Sequence, residues 1–269
     1  MNNQTYPTDL TDRQWECIKK YIPPAKPGGR PRTLEMRQII NAILYNAILY
    51  IVVGGCQWRM LPRSYPNWKS VYHYFRQWRD DGTWRRIHDT LRAQLRRKVG
   101  RHKHATAGCL DSQSVKSCQA WGVRGHISGY DKGKGVKGRK RHLLVDTLGL
   151  LIGVVVSAAS VSDPAGAKMV FKRLGGTGKE LRKIWVDGTY RGQLLEWVTS
   201  RFKFRLQPVL RSDDMKGFVV LPKRWVVERT FAWLTQYRRL SKEYEVLTAS
   251  SEAMIYIAMT RLMLRRLAS

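Results

Sequence analysis

Three acidic residues stand in sequence contexts that suit the cleavage of phosphodiester bonds. Asp111 lies in CLDSQSVK, Asp187 in IWVDGTYRG and Glu228 in RWVVERTFAWL, each inside or at the edge of an apolar run. An unpaired charge in such a place is costly, so each carboxylate needs a reason to be there. Carboxylates that converge can hold two divalent cations roughly 4 Å apart, which activate water and stabilise the departing oxygen. Mg²⁺ prefers oxygen ligands and is the expected ion, with Mn²⁺ as a substitute.

Each acid, taken alone, also has an interpretation that involves no chemistry. Asp111 could cap a turn with Ser112, and Asp187 could open a tight Asp-Gly turn. Glu228 could pair with Arg224, which lies one helical turn earlier on the same face. The joint pattern of two strand acids and one helix acid favours a common site over three separate local roles.

Other residue types give little support to competing chemistries. Asp146 and Asp163 are rival acids, but Asp146 fits the hairpin turn DTLG and Asp163 fits the start of a helix, where the helix dipole favours negative charge. The histidines show no HExxH spacing, and the glycine-rich segment KGKGVKG at 132–138 lacks the GxxxxGK[ST] pattern of a P-loop. Ser112 and Ser114 have no paired His and acid nearby in the sequence, so a serine nucleophile is not expected.

The net charge of +29 favours a polyanionic partner, and nucleic acid is the leading candidate. The alternative is a ribosomal-type or merely basic protein, but the basic residues alternate with apolar periodicity along the whole chain rather than forming a tail. GGRPR could insert its arginines into a narrow minor groove, or it could be a solvated hinge between helices. The candidate DNA contacts are Arg30, Arg32, Lys137, Arg139, Lys140, Arg141, Arg224, Arg238 and Arg239.

The pattern of apolar residues predicts two regions. Residues 1–100 have helical spacing over 9–22, 34–53, 68–79 and 83–99, which is typical of a helix-turn-helix-like DNA-binding region, although a generic helical domain with a solvated basic face fits as well. Residues 101–269 contain short apolar strands that alternate with helices, which predicts an α/β domain with a mixed sheet and a long helix over 222–240.

Neither a membrane span nor a secretory signal is expected. The longest apolar stretch, 39–53, is interrupted by Asn41 and Asn46 and is shorter than the ~20 residues of a span. The N-terminus MNNQTYPTDL has no apolar core. The four cysteines form no CxxC pair and fit a reducing cytoplasm.

LDSQSVK, WVDGTYRG and RWVVERTFAWL resemble the three acidic blocks of bacterial DDE insertion-sequence transposases, and the insertion-sequence-five group of the insertion-sequence-four class is the most similar. The N-terminal LTDRQWECIKKYIPP, GRPR and WRMLP resemble the helical leader of that group. The resemblance implies a ribonuclease H-like catalytic fold. It also implies that Asp111, Asp187 and Glu228 hold two magnesium ions, and that a dimer or larger synaptic assembly acts in a bacterial cytoplasm, on the nucleoid.

The resemblance further implies that water attacks at the transposon end, within its terminal inverted repeat, and that the freed 3′-hydroxyl attacks target DNA. The chain departs from the class at two positions, which hold Leu221 instead of Tyr and Thr235 instead of a cation. Arg238 or Arg239 could replace the missing cation, or the contact could be absent. A nuclease or resolvase without strand transfer, and a non-catalytic DNA-binding repressor, are the alternative functions.

Overall fold

The computed structural model describes residues 9–25, 27–28, 32–45, 52, 54–118, 126–209 and 224–269. The chain divides into two compact units. The first comprises Met1–Arg101, Gln236–Ser241 and Ala253–Ser269, and the second comprises His102–Thr235 and Lys242–Glu252. The division into a DNA-binding region over 1–100 and a catalytic domain over 101–269 stays a prediction.

Helices dominate the first unit and flank the sheet of the second. The α-helices of the described residues are α1 (Asp12–Ile18), α2 (Met36–Ile40), α3 (Trp68–Asp80), α4 (Thr83–Lys98), α5 (Asp163–Lys172), α6 (Gln193–Arg201), α7 (Trp225–Thr235), α8 (Arg238–Ser241) and α9 (Thr248–Ala268).

Helix α1 begins with a side-chain cap. The hydroxyl of Thr11 accepts from the Gln14 backbone N–H while the Gln14 side chain accepts from the Thr11 N–H, which forms a capping box at the start of α1. The helix predicted over 34–53 begins at Met36 and continues beyond α2 as a π-helix, Asn41–Tyr45. Asn41 is buried, and its side-chain oxygen accepts a hydrogen bond of 3.0 Å from the Leu10 N–H, which compensates for the loss of water. Most of 46–53 lies outside the described residues.

Helices α3 and α4 confirm the predictions for 68–79 and 83–99. Gly82 joins them with a φ of +74°, a conformation that glycine adopts without a steric penalty. Aromatic packing holds the pair together, because the Trp78 and Trp84 rings lie 5.1 Å apart and the Trp84 indole donates to the Phe75 carbonyl.

One mixed sheet of six strands forms the centre of the second unit, within the part of the chain that the structure describes. The strands are β1 (Ala107–Lys116), β2 (Gly129–Asp131), β3 (Val136–Asp146), β4 (Leu151–Ala158), β5 (Lys183–Val186) and β6 (Arg205–Pro208). Their order is β2-β3-β1-β5-β6, and β4 also pairs with β3. The β1–β5 and β5–β6 pairs are parallel and the others are antiparallel. Strand β1, which carries Asp111, is central in this order.

An apolar core packs against one face of the sheet. It combines Leu110, Leu144 and Ile152 from three strands with Phe171 of α5 and Val198 of α6, all of them buried. Because successive residues of a strand point to opposite faces, Leu110 on the core face places its neighbour Asp111 on the other face. The sheet thereby sets the direction of the first acid.

The structure shows one hairpin and one helix break that the sequence patterns did not predict. Strand β3 starts at Val136 and pairs with a short β2, so much of the glycine- and lysine-rich segment is a hairpin. The helix predicted over 222–240 is two helices, because α7 ends at Thr235 and α8 begins at Arg238. Between them the Tyr237 ring is buried and its hydroxyl donates to the Ala258 carbonyl, which accounts for the break.

None of the described helices is both long and apolar enough to cross a membrane.

Candidate active site

The structure brings the three predicted acids together around one guanidinium group. The Nη2 atom of Arg224 lies 3.7 Å from a carboxylate oxygen of Asp111, 3.9 Å from one of Asp187 and 3.8 Å from one of Glu228. Any two of these oxygens can therefore be no farther apart than the sum of their distances to this nitrogen. The four residues come from β1, from the end of β5 and from the start of α7, so tertiary folding gathers them.

Asp111 is the most enclosed of the acids. Its Oδ1 accepts a hydrogen bond of 2.7 Å from the Ser112 N–H, and its Oδ2 faces Arg224. Only 18% of its side chain is exposed. Burial raises its pKa to about 6, although the Ser112 N–H and the Arg224 charge act in the opposite direction. A carboxylate in this position gains more from a nearby cation than an exposed one does.

Asp187 divides its two oxygens in the same way. Strand β5 ends at Val186, and Asp187 then caps the 3₁₀-helix Gly188–Tyr190 by accepting from the Thr189 N–H at 2.8 Å. Its other oxygen is the one that lies near Arg224. The two interpretations of Asp187, as a turn former and as a site acid, are therefore compatible because each uses a different oxygen.

Glu228 lies on the solvent side of α7. Val227, Phe231 and Leu234 form the buried stripe of that helix, whereas 52% of the Glu228 side chain is exposed. Arg224, directly before the helix, is its neighbour one turn away, as the spacing predicted. The N···O distance of 3.8 Å is too long for a hydrogen bond, so the pair is a loose electrostatic contact.

The donor set suits a hard divalent cation, but the carboxylates are spread around Arg224. Among the described residues, no group of three or more His, Cys, Asp or Glu side chains is close enough to hold a metal ion. Mg²⁺ binds oxygen at about 2.1 Å, much closer than the distances to the Arg224 nitrogen. Metal binding would require Arg224 to move aside and the carboxylates to move inward, and the exposed, loosely paired Glu228 has the most freedom to do so.

A buried polar network that the sequence patterns did not reveal supports β1 next to Asp111. Lys140 is 5% exposed, and its ammonium lies 3.2 Å from Asp131 and 3.1 Å from Asp163. The Ser112 hydroxyl donates to Asp163 at 2.7 Å, and the Ser114 hydroxyl donates to Asp131 at 2.5 Å. The signal was present in the alternation along β1, where Ser112 and Ser114 share a face, but the partners become visible only with the strand register.

Tyr190 is a second residue that the sequence analysis missed. Its side chain is fully buried, and its pKa is raised well above the usual value by burial and then by the charges of Asp111, Asp163 and Asp187. The phenol is therefore a neutral hydroxyl near two of the three site acids.

The predicted phosphate contacts at Arg139, Lys140 and Arg141 are wrong in this structure. All three side chains are buried. Arg141 donates to Glu243 at 2.7 and 2.5 Å. Arg139 donates to the Ser251 hydroxyl and to the backbone carbonyls of Ile127, Glu245 and Val246. A run of basic residues in a strand suggests a solvated face, but here an acid that lies over a hundred residues later compensates the charge.

The remaining basic candidates have different surroundings. Lys137 is exposed on β3, and Arg32 is exposed and donates to the Pro23 carbonyl. Arg238 is exposed on α8, while the partly buried Arg239 donates weakly to the Cys56 carbonyl at 3.4 Å. Arg30 and Leu221 lie outside the described residues. Their roles in DNA binding stay predictions.

The structure confirms the roles assigned to the rival acids. Asp146 is buried in the β3–β4 turn, where its Oδ1 accepts from the Leu148 and Leu150 N–H groups at 2.9 Å. Asp163 stands in the first turn of α5, after the N-cap Ser162. Neither acid is paired with Arg224. None of the four cysteines forms a disulfide.

Comparison with known families places these features in context. The model of a family described as the transposase DDE domain matches residues 102–263, and that of the transposases of the IS4/5 family matches residues 10–88. The mixed sheet with flanking helices, preceded by a helical region, is the ribonuclease H-like fold that the DDE domain implies.

Two curated relatives are similar to part of the chain. A 16.2 kDa protein of the insertion element IS402 from Burkholderia cepacia is 27% identical over 113 residues, which cover 41% of this chain and 75% of the relative. The protein y4sN of Sinorhizobium fredii is 28% identical over 125 residues, which cover 42% of this chain and 91% of the relative. With a DDE-domain match over more than half of its length, the chain belongs to the DDE transposase family.

Proposed function

We propose that this protein binds the terminal inverted repeats of its own insertion sequence, cleaves the DNA ends hydrolytically and joins the freed 3′-hydroxyl to target DNA. The observation that carries the proposal is the convergence of Asp111, Asp187 and Glu228 on Arg224. One of the relatives is a protein of an insertion element, which supports the choice of substrate.

In the proposal, Asp111, Asp187 and Glu228 hold two Mg²⁺ or Mn²⁺ ions. Bound cations of this kind supply a nucleophile from water and stabilise the departing oxygen. Asp111 and Asp187 each keep one oxygen fixed by a backbone N–H, which orients the other toward the site. Arg224 offsets part of the negative charge of the three acids before DNA arrives, and it is then available for a phosphate, since its contacts with the acids are loose.

The overall charge supports a DNA partner. A cluster of carboxylates repels a phosphodiester, and the +29 net charge of the chain outweighs that repulsion over the molecule. Residues 1–100 are proposed to recognise the ends, with Arg30 and Arg32 near a minor groove, and residues 101–269 to carry out the chemistry. Joining two ends requires a dimer or larger assembly, which is part of the same proposal.

The test is an end-cleavage assay with purified protein. Labelled DNA that carries the inverted repeats from either side of the gene is incubated with Mg²⁺ and a target plasmid. We expect cleavage at the repeat ends and a joined donor–target product. Glu228→Gln is expected to bind the ends but to lose cleavage, while Glu196→Gln, an exposed acid on α6, serves as the matched control and keeps wild-type activity.

The possible outcomes separate the alternatives. Cleavage without a joined product would replace strand transfer with a nuclease or resolvase activity. Binding with no cleavage under any metal condition would point to a DNA-binding repressor. Equal cleavage by Glu228→Gln and the wild type would remove Glu228 from the site and overturn the proposal.

A further inference from the structure

The turn between β2 and β3 is fixed to the sheet by a buried acid. Asp131, 9% exposed, ends β2, and its Oδ1 accepts from the backbone N–H of Lys134 at 3.2 Å. Its Oδ2 accepts from the Ser114 hydroxyl and lies 3.2 Å from the Lys140 ammonium. Contacts with both β1 and β3 therefore hold the turn, 132–135, against the sheet.

The turn directs one lysine toward the candidate active site. The Lys134 Nζ lies 3.4 Å from the Ser112 carbonyl oxygen, and the Ser112 N–H donates to Asp111 at 2.7 Å. Lys134 is nevertheless exposed. An ammonium group has three N–H donors, and the Ser112 carbonyl takes one. The others are available to a group that approaches Asp111 from solvent.

Lys132 provides a comparison within the same turn. It is exposed like Lys134 and carries the same charge. Within the described residues, however, no hydrogen bond or ion pair connects it to β1. Any effect of net charge alone would be shared by the two lysines, whereas an effect of position would be specific to Lys134.

We propose that Lys134 holds a phosphate group of the DNA strand that enters the acid site, next to the bond that is cut, and that Asp131 positions Lys134 for this contact. This inference rests on the proposed function for the identity of the strand. The acids repel a phosphodiester, so a cation fixed beside Asp111 lowers that repulsion at the place where the strand must lie. A charge-assisted hydrogen bond to phosphate also sets the register of the strand.

Phosphate-ethylation interference on end DNA, with Ca²⁺ to allow binding without turnover, tests the contact directly. Each ethylated phosphate loses its charge, and those that weaken binding mark the contacts. For the wild type we expect interference at one phosphate adjacent to the cleavage site that disappears in Lys134→Ala and persists in Lys132→Ala. Lys134→Arg, which keeps a cation, is expected to retain it. Asp131→Asn is expected to weaken the interference at that phosphate alone.

Cleavage kinetics provide an independent readout. At DNA concentrations well below saturation, Lys134→Ala is expected to cleave about 10- to 100-fold more slowly than Lys132→Ala, the range of one charge-assisted hydrogen bond. Identical interference patterns for the two alanine variants would overturn the inference. A wild type that binds ends without cutting them would refute the proposed function, while the interference pattern would still decide whether Lys134 holds a phosphate. A wild type that does not bind ends would refute both.

Discussion

Replacing Asp111 with Asn is expected to make the folded protein more stable at pH 8, in the absence of divalent cations and DNA. The Asn side chain keeps the shape and can still accept from the Ser112 N–H, but it removes a carboxylate whose pKa is raised from 3.8 to about 6, chiefly by burial. At about 1.4 kcal/mol for each tenfold change in proton affinity, the difference corresponds to about 3 kcal/mol. The attraction of Arg224 is already included in that figure, because it is one of the effects that set the Asp111 pKa.

The sign and pH window follow from linkage. A carboxyl with a raised pKa in the folded state holds its proton more tightly there, so its contribution to stability is fully present below pH 3.8 and is lost as the pH rises through about 6. The advantage of Asp111→Asn should therefore be absent below about pH 4, grow between pH 4 and 6, and remain constant above.

Equilibrium urea denaturation in chelator, at pH values from 4 to 8, measures this effect. Asp131→Asn is the control of opposite sign. The Ser114 hydroxyl and the Lys140 ammonium lower the Asp131 pKa to about 2, so its carboxylate stabilises the fold above pH 3.8 and its loss should destabilise the protein at pH 8. Equal stabilities of Asp111→Asn and wild type at pH 8, or an advantage that does not change with pH, would refute the argument that burial of Asp111 is costly.

Three further predictions concern the buried pairing of Glu243 with two arginines, the packing of β3 against β1, and the net charge of the chain. Glu243→Gln removes the carboxylate that pairs with the buried Arg139 and Arg141, and we expect a loss of about 3–5 kcal/mol in the free energy of unfolding, measured in urea; a loss below 1 kcal/mol would contradict the buried pairing. Gly138→Ala would place a Cβ against the Val115 carbonyl oxygen where β3 meets β1, so we expect the variant to melt at a lower temperature than the wild type. A folded variant with the wild-type melting temperature would show that this close approach is wrong. The affinity for end DNA should fall by about 10³-fold or more between 50 and 200 mM salt, measured by fluorescence anisotropy, and a salt-independent affinity would exclude an electrostatic interface.

The sequence was sufficient for the elements around the site because the signals there are local. The Asp-Gly turn after β5 and the helical turn from Arg224 to Glu228 each depend on a few neighbouring residues, and both form where the patterns predicted them. The acids could be selected as candidates from their apolar surroundings and from their joint pattern of two strand acids and one helix acid.

What the sequence could not provide depends on contacts between distant segments. Arg139 and Arg141 resembled a phosphate-binding run until Glu243 was found beside them. The break before Arg238 depends on a contact of Tyr237 with Ala258, and helical periodicity alone cannot reveal it. Lys134 was one of several lysines in a glycine-rich segment, and only the register of β2 and β3 brings it to Asp111.

Mn²⁺ binding tests the central claim most directly, which is that three acids from three elements form one metal site. The electron paramagnetic resonance signal of free Mn²⁺ is followed while the wild-type protein, bound to end DNA, is added at pH 8. We predict two bound ions per site for the wild type and for Glu180→Gln, an exposed acid outside the site, and at least a tenfold loss of affinity for Asp187→Asn. Asp187→Asn that binds Mn²⁺ like the wild type would contradict the claim.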